Sequence, residues 1–134
     1  MRYVVDTNTL IYFFKGLGGV AQRLLQTAPK DIGVPTIVLY ELEVGLAKAN
    51  APEKRRQQLN NLMETVQVIP FGEAEARQAA IIRANLEDLG QPIAPYDVLI
   101  AATAVANGAT LVTRNQRGFS RIDGLSLTNW YTEE

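Results

Sequence analysis

The chain contains no cysteine and no histidine. That absence excludes disulfides, thiolate zinc sites, His-ligated transition metals, Cys nucleophiles and Ser-His-Asp triads. Any catalytic chemistry must rest on carboxylates, hydroxyls, Lys, Arg or a metal held by oxygen. Long apolar runs are missing as well. The longest charge-free stretch, Val98 to Thr113, is interrupted by Asn107-Gly108, so no segment is continuous enough to cross a bilayer. The opening MRYVVD lacks the apolar region and small-residue cleavage site of a signal peptide, and a cytoplasmic location away from membranes is expected. Neither sign of charge is in excess: the net charge is −1. Global electrostatics therefore does not attract nucleic acid, and a polyanion would have to meet a local basic patch.

What is present is an ordinary globular composition, 47% hydrophobic and 20% charged over 134 residues, which predicts one domain spanning 1–134. Strand is expected at Tyr3–Val5, 32–34, 66–71 and 109–113, with an edge strand in LSLTNW. Helix is expected at 9–15, 20–26, 36–50, 53–64, through GEAEARQAAIIRANLEDLG up to Gly90, and at 97–106. Strands separated by helices predict an α/β fold, a mainly parallel sheet with helices on both faces. Ligands of such sheets gather outside the carboxyl ends of the strands, where the strand order reverses.

In VVDTNTLIYF, 4 to 13, a single charge, Asp6, sits at the joint between two apolar stretches, at the carboxyl end of the first strand. Glu41 falls inside the apolar arc that Ile37, Val38, Leu42, Leu46 and their neighbours form on a helix, while Glu43 falls outside it. A carboxylate on the buried side costs several kcal/mol on the order of magnitude unless paired or bound to a cation. Gly45, one turn later, weakens the helix by ~1 kcal/mol relative to Ala and leaves room above that carboxylate. Asp97 opens the apolar helix DVLIAATAVA. Each acid also has a bland reading: Asp6 and Asp97 as helix caps, Glu41 as a surface acid paired with Lys48 or an Arg. One shared site explains all three together. Three carboxylates in a small volume repel one another unless a cation balances them, and with oxygen ligands alone that cation is Mg²⁺ or Mn²⁺, ions that serve phosphoryl chemistry.

TRNQRGFSR, 113 to 121, follows the strand ATLVT at another carboxyl end. Asn115 and Thr113 offer polar groups there, and Arg114, Arg117 and Arg121 form the densest basic run near the acids. Arg55 and Arg56 read as a solvated helix face. GLGGVA, 16 to 21, fits a loose G-x-G-x-x-A pattern. Its glycines follow a helical stretch rather than a strand, so they read as an interhelical loop.

DTN at 6–8, ELEVG at 41–45, DVLIAATA at 97–104 and LVTRN at 111–115, in that order and followed by Gly124-Leu125 to Asn129-Trp130, resemble the VapC toxins of the PIN-domain family over nearly the whole chain. The resemblance implies a three-layer α/β/α sandwich and a Mg²⁺-dependent endoribonuclease, the toxin half of a toxin-antitoxin pair. It implies a homodimer, held inactive by a small VapB antitoxin whose C-terminal segment covers the acidic cleft and places an Arg among the carboxylates. By matching motifs, Asp6, Glu41 and Asp97 would be catalytic and hold the metal, with Asn115 as the polar residue beside them. Thr7 and Asn8 would shape the loop around Asp6 and, with Thr113, Arg114 and Arg117, contact the RNA.

One departure stands out. Relatives of this kind carry Asp or Glu just before the position of Phe119, where this chain has Gly118. The fourth carboxylate is missing, or its role falls to Asn115 or a water; three acids can hold one Mg²⁺, and a second metal becomes doubtful. That departure keeps open a binding module that retains the acidic cleft only for a basic partner. An aspartyl-phosphate phosphohydrolase with Asp6 as nucleophile is less favoured, because Asn8 stands where the second Asp is wanted.

Overall fold

The computed structural model describes residues 1–132; the one-domain reading of 1–134 also takes in Glu133 and Glu134, which lie outside the described residues. The strands are β1 (Tyr3–Val5), β2 (Ile32–Pro35), β3 (Gln67–Ile69), β4 (Thr110–Val112) and β5 (Leu127–Thr128). Between them run α1 (Thr7–Lys15), α2 (Val20–Gln26), α3 (Thr36–Lys48), α4 (Glu53–Met63), α5 (Glu73–Asp88), α6 (Pro95–Ala106) and the single turn α7 (Gln116–Phe119). The sheet order is β3-β2-β1-β4-β5 and every pairing is parallel. Parallel neighbours cannot be joined by a tight turn, so each connection is a crossover that carries helix.

Successive residues of a strand point to opposite faces of the sheet. Val4 and Val5 in β1, and Leu111 and Val112 in β4, are all 0% exposed, so both faces of the central strands are covered. This is the three-layer α/β/α sandwich expected. Helix α6 buries Val98 and the whole run Ile100 to Ala104, which explains why it is nearly all apolar. Its one polar side chain in that run, Thr103, donates its hydroxyl to the Leu99 carbonyl at 2.8 Å. Trp130 is buried edge-on against Tyr3, ring centroids 5.2 Å apart, and ties the last described residues to the first strand.

Several boundaries differ from the sequence reading for local reasons. Helix α1 starts at Thr7 rather than Thr9 because Asp6 caps it, its side chain accepting the Thr9 N–H. It stops at Gly16, which takes the left-handed conformation (φ 68°) that closes helices. Helix α6 starts at Pro95, whose fixed φ suits the first helical position; the cap falls at Ala94, so Asp97 lies in the first turn and is not a cap. Strand β3 is short and leaves Gln67 and Val68 exposed, and the edge strand expected in LSLTNW contracts to two residues. The helical turn α7 and a 3-10 turn at Pro29–Asp31 had no periodic signal.

The chain enters at the middle of the sheet, moves outward through β2 and β3, then crosses back to β4 on the other side of β1. The order reverses at β1 and β4, and Asp6 and Thr113 follow the carboxyl ends of those two strands. Leu111, fully buried, packs one face of β4 against a helix layer. Leu111→Ala is expected to destabilise the protein by about 2–5 kcal/mol, the usual range for an unrelaxed core truncation, read as a lowered urea midpoint at unchanged m-value.

Candidate active site

Asp6 is 6% exposed. Its backbone N–H donates to the Val112 carbonyl at 3.2 Å, which joins β1 to β4 at the switch point. Its Oδ1 accepts the Thr9 N–H at 2.9 Å, and the Thr9 hydroxyl lies 2.6 Å away. Burial pushes this carboxyl above its ordinary range, while hydrogen bonds from the hydroxyls of Thr113 and Thr9 and the Thr9 N–H pull it back. The cap and the site are therefore one residue: Asp6 caps α1 because the strand end delivers it there, and the cap holds its carboxylate in place.

Glu41, half-buried on α3, accepts the Thr7 hydroxyl at 2.7 Å. The expected alternative, a pair with Lys48 or an Arg, does not occur among the described residues, whose ion pairs are Arg56–Glu43, Arg77–Glu73 and Arg83–Glu87. Glu43 behaves as its position outside the apolar arc predicts: Arg56 grips it through two contacts of 2.6 and 2.7 Å and lowers its pKa. Gly45 does leave room, since a Cβ there would meet nothing within 4 Å. A groove of about 500 Å³ opens beside Glu41 and Gly45, lined also by Ile11, Lys15, Lys54 and Arg55. Arg55 is thus a half-buried groove residue and not part of a solvated face as its sequence neighbourhood suggested; only Arg56 is spent on a surface pair.

Asp97 is half-buried at the start of α6. Burial first, then the charges of Asp6 and Glu41, raise its carboxyl above the ordinary 3.8. Three elements distant in sequence therefore share one electrostatic neighbourhood at the carboxyl end of the sheet. The expectation of a ready-made ligand cage is met only in part: among the described residues no group of three or more acidic side chains is drawn within reach of a single ion. The reason is local, because Thr9 and Thr7 hold Asp6 and Glu41 in separate hydrogen bonds, and like charges without a counter-ion stay apart. The donor chemistry still fits a hard cation. The groups are oxygens only, Asp6 is buried, and none of the three has a basic partner among the described residues.

A second cavity, of about 380 Å³, opens from Asp97 and is lined by Asn115, Arg117, Gly118 and Arg121. Asn115 and Arg117 thus share a cavity with Asp97. At Gly118 an added Cβ would sit 3.1 Å from Ile93 Cγ2, so this chain has close packing where an acid would stand. Thr113 is fully buried, bonded to Asp6, and accepts the Asn115 N–H at 3.1 Å. Asn8 is exposed in the first turn of α1. Arg114 is engaged away from the acids: its guanidinium lies 3.6 Å from the Tyr131 ring centroid and 5.6 Å from that of Tyr12.

Sequence reading missed Thr9, whose spacing three residues after Asp6 was the available signal for a cap. It also missed Tyr40 and Tyr96, which each directly precede a site acid.

Residues 3–125 match the family model of the PIN domain. The chain is 33% identical over 132 residues to ribonuclease VapC2 of Rickettsia felis, covering 97% of this chain and 98% of the relative. It is 30% identical over 130 residues to the tRNA(fMet)-specific endonuclease VapC of Salmonella typhimurium, with the same coverage. The crystal structure of Rickettsia felis VapBC2 bound to a promoter DNA fragment contains a chain that superposes with a TM-score of 0.89 at 33% identity, over 97% of this chain and 99% of that one.

Because the fold raises the pKa of Asp97, the native state holds that proton more tightly than the unfolded chain does. Ionisation therefore lowers stability, an effect absent below the ordinary carboxyl range and complete above the raised value. In metal-free buffer, Asp97→Asn is expected to raise Tm at pH 7, and the gain should fade as the pH is lowered toward the ordinary value of 3.8; thermal unfolding across that range checks it.

Proposed function

Because the chain belongs to the PIN-domain family, as one of its VapC proteins, we propose that it is the endoribonuclease toxin of a VapBC-type toxin-antitoxin pair, dependent on Mg²⁺ or Mn²⁺. The observation that carries this reading is the set of three carboxylates with no basic partner among the described residues, the third of which is held back from ionising by burial and then by the charges of the other two. A divalent ion, when bound, supplies the positive charge that polarises a phosphodiester and makes attack by water accessible at neutral pH.

The chain's own residues do the rest. Asp6, held by Thr9 and Thr113, and Asp97, at the start of a rigid helix, present the oxygens that hold the ion. Glu41, oriented by the Thr7 hydroxyl, serves as a further ligand or takes the proton released by the water. Asn115 hydrogen-bonds a phosphate oxygen at the mouth of the second cavity. Lys15, Lys54 and Arg55 border the groove on the Glu41 side, and Arg117 and Arg121 border the cavity on the Asp97 side. An RNA strand laid from one to the other crosses the acids with its flanking phosphates on basic groups. These local patches supply the attraction that a net charge of −1 does not.

The proposed partners are RNA as substrate, a small VapB-like antitoxin that covers the acidic cleft, and a second copy of this chain in a homodimer. One PIN-like domain spans 1–134 and acts in the cytoplasm; among the described residues no helix is long and apolar enough to cross a membrane. The close packing of Gly118 against Ile93 favours one alternative, a cleft that binds a basic partner without cleaving RNA. Phosphotransfer through Asp6 has less support, since the side chain is buried and engaged by Thr9.

Asp6→Asn keeps a favoured cap and removes a charged oxygen. The variant should fold, and should lose RNA cleavage by on the order of a hundredfold or more, the scale of a metal's charge stabilisation, together with toxicity on induction. Undiminished toxicity in a folded Asp6→Asn protein would refute the nuclease reading. Treating the wild type with EDTA should stop cleavage, and millimolar Mg²⁺ or Mn²⁺ should restore it. Tight antitoxin binding with no cleavage at any divalent concentration would establish the binding module instead.

A further inference from the structure

Among four Phe, five Tyr and one Trp, the exposed aromatic side chains of the described residues are Tyr40 and Tyr96, at 50% and 43%. These two meet. Their ring centroids are 5.7 Å apart at 83°, and the Tyr96 hydroxyl donates to that of Tyr40 at 3.3 Å. They come from different helices, α3 and α6, and each directly precedes a site acid, Glu41 or Asp97. Every other aromatic ring is at least partly taken into the fold. An edge-on pair leaves ring surface open to solvent, beside the point where a phosphodiester would be cut.

We propose that Tyr40 and Tyr96 form a stacking platform for an unpaired nucleobase next to the scissile phosphate. The inference rests on the ribonuclease reading. The chain carries no net positive charge to draw RNA, and its acids repel phosphates, so a contact that salt does not screen adds to what the local basic patches supply. Stacking on aromatic rings is such a contact, and it tolerates any base. A base within an A-form duplex has both faces covered and cannot use the platform.

The test is steady-state cleavage of an unstructured RNA oligonucleotide of mixed sequence by wild type, Tyr40→Ala, Tyr96→Ala and the two Phe variants, in Mg²⁺. The Ala variants should raise KM by about tenfold, the scale of one base-aromatic stack, with kcat within about twofold. The Phe variants should match wild type, because a ring and not a hydroxyl is required. In an Asp6→Asn background, fluorescence anisotropy should show oligouridine bound more tightly than an abasic strand of equal length. Adding Tyr96→Ala should erase that difference. Wild-type KM in the Ala variants, or an unchanged preference for oligouridine over the abasic strand, would overturn the platform. So would wild-type KM combined with weakened antitoxin binding, which would assign the pair to the protein partner. A wild type that cuts no RNA sinks the ribonuclease reading and this inference together, whereas a wild type that cuts and variants that cut equally well sink only this one.

Discussion

Negative charge gathered without a counter-charge is the constraint around which this molecule is organised. Its basic side chains are not scarce, yet those in ion pairs among the described residues neutralise exposed acids, Glu43, Glu73 and Glu87. Of the three acids at the carboxyl end of the sheet, Asp6 and Glu41 are held by hydroxyls and an N–H group. Hydrogen bonds of this kind orient a carboxylate and soften its desolvation without cancelling its charge. The site therefore keeps negative charge that no basic side chain among the described residues cancels, and burial first, then the charges of Asp6 and Glu41, raise the pKa of Asp97.

The fold supplies that arrangement through its strand order. Parallel strands deliver their carboxyl ends to one edge, and the reversal at β1 and β4 opens a space there that no crossover fills. Three threonines act as clasps in that space. Thr9 and Thr113 hold Asp6, and Thr7 ties Glu41 across from α1 to α3. All three lie immediately after a strand or in the first turn of the helix that follows one, so each is placed by the sheet's backbone rather than by a mobile loop. In this way Asp6 and Glu41 are fixed in direction but not drawn together.

Around the acids, chemistry is divided by direction. Basic side chains border the groove beside Glu41 and the cavity beside Asp97, while the exposed tyrosine pair on α3 and α6 consists of the residues that directly precede those acids. Phosphates and bases of a nucleic acid have different needs, charge for one and flat apolar surface for the other, and the proposed RNA path offers basic groups and exposed rings. Arg114 shows that proximity in sequence does not assign a role: it sits in the basic run 114–121, yet it stacks on Tyr131 and Tyr12.

Much of this was legible in the chain itself. The lack of Cys and His restricted the site to oxygen chemistry. The period of the apolar residues placed β1, α2 and the buried helix α6, and the position of Asp6 at a strand end marked the site. These features were readable because they depend on local propensity and on which face of an element is apolar. Other features depend on what packs nearby, and the tertiary structure alone decided them. It turned Arg55 toward a groove and Arg114 onto tyrosine rings, and set Ile93 against Gly118. It also brought Tyr40 and Tyr96 into contact across two helices. Each of these is a relation between residues far apart in the chain, and a one-dimensional pattern carries no measure of that distance.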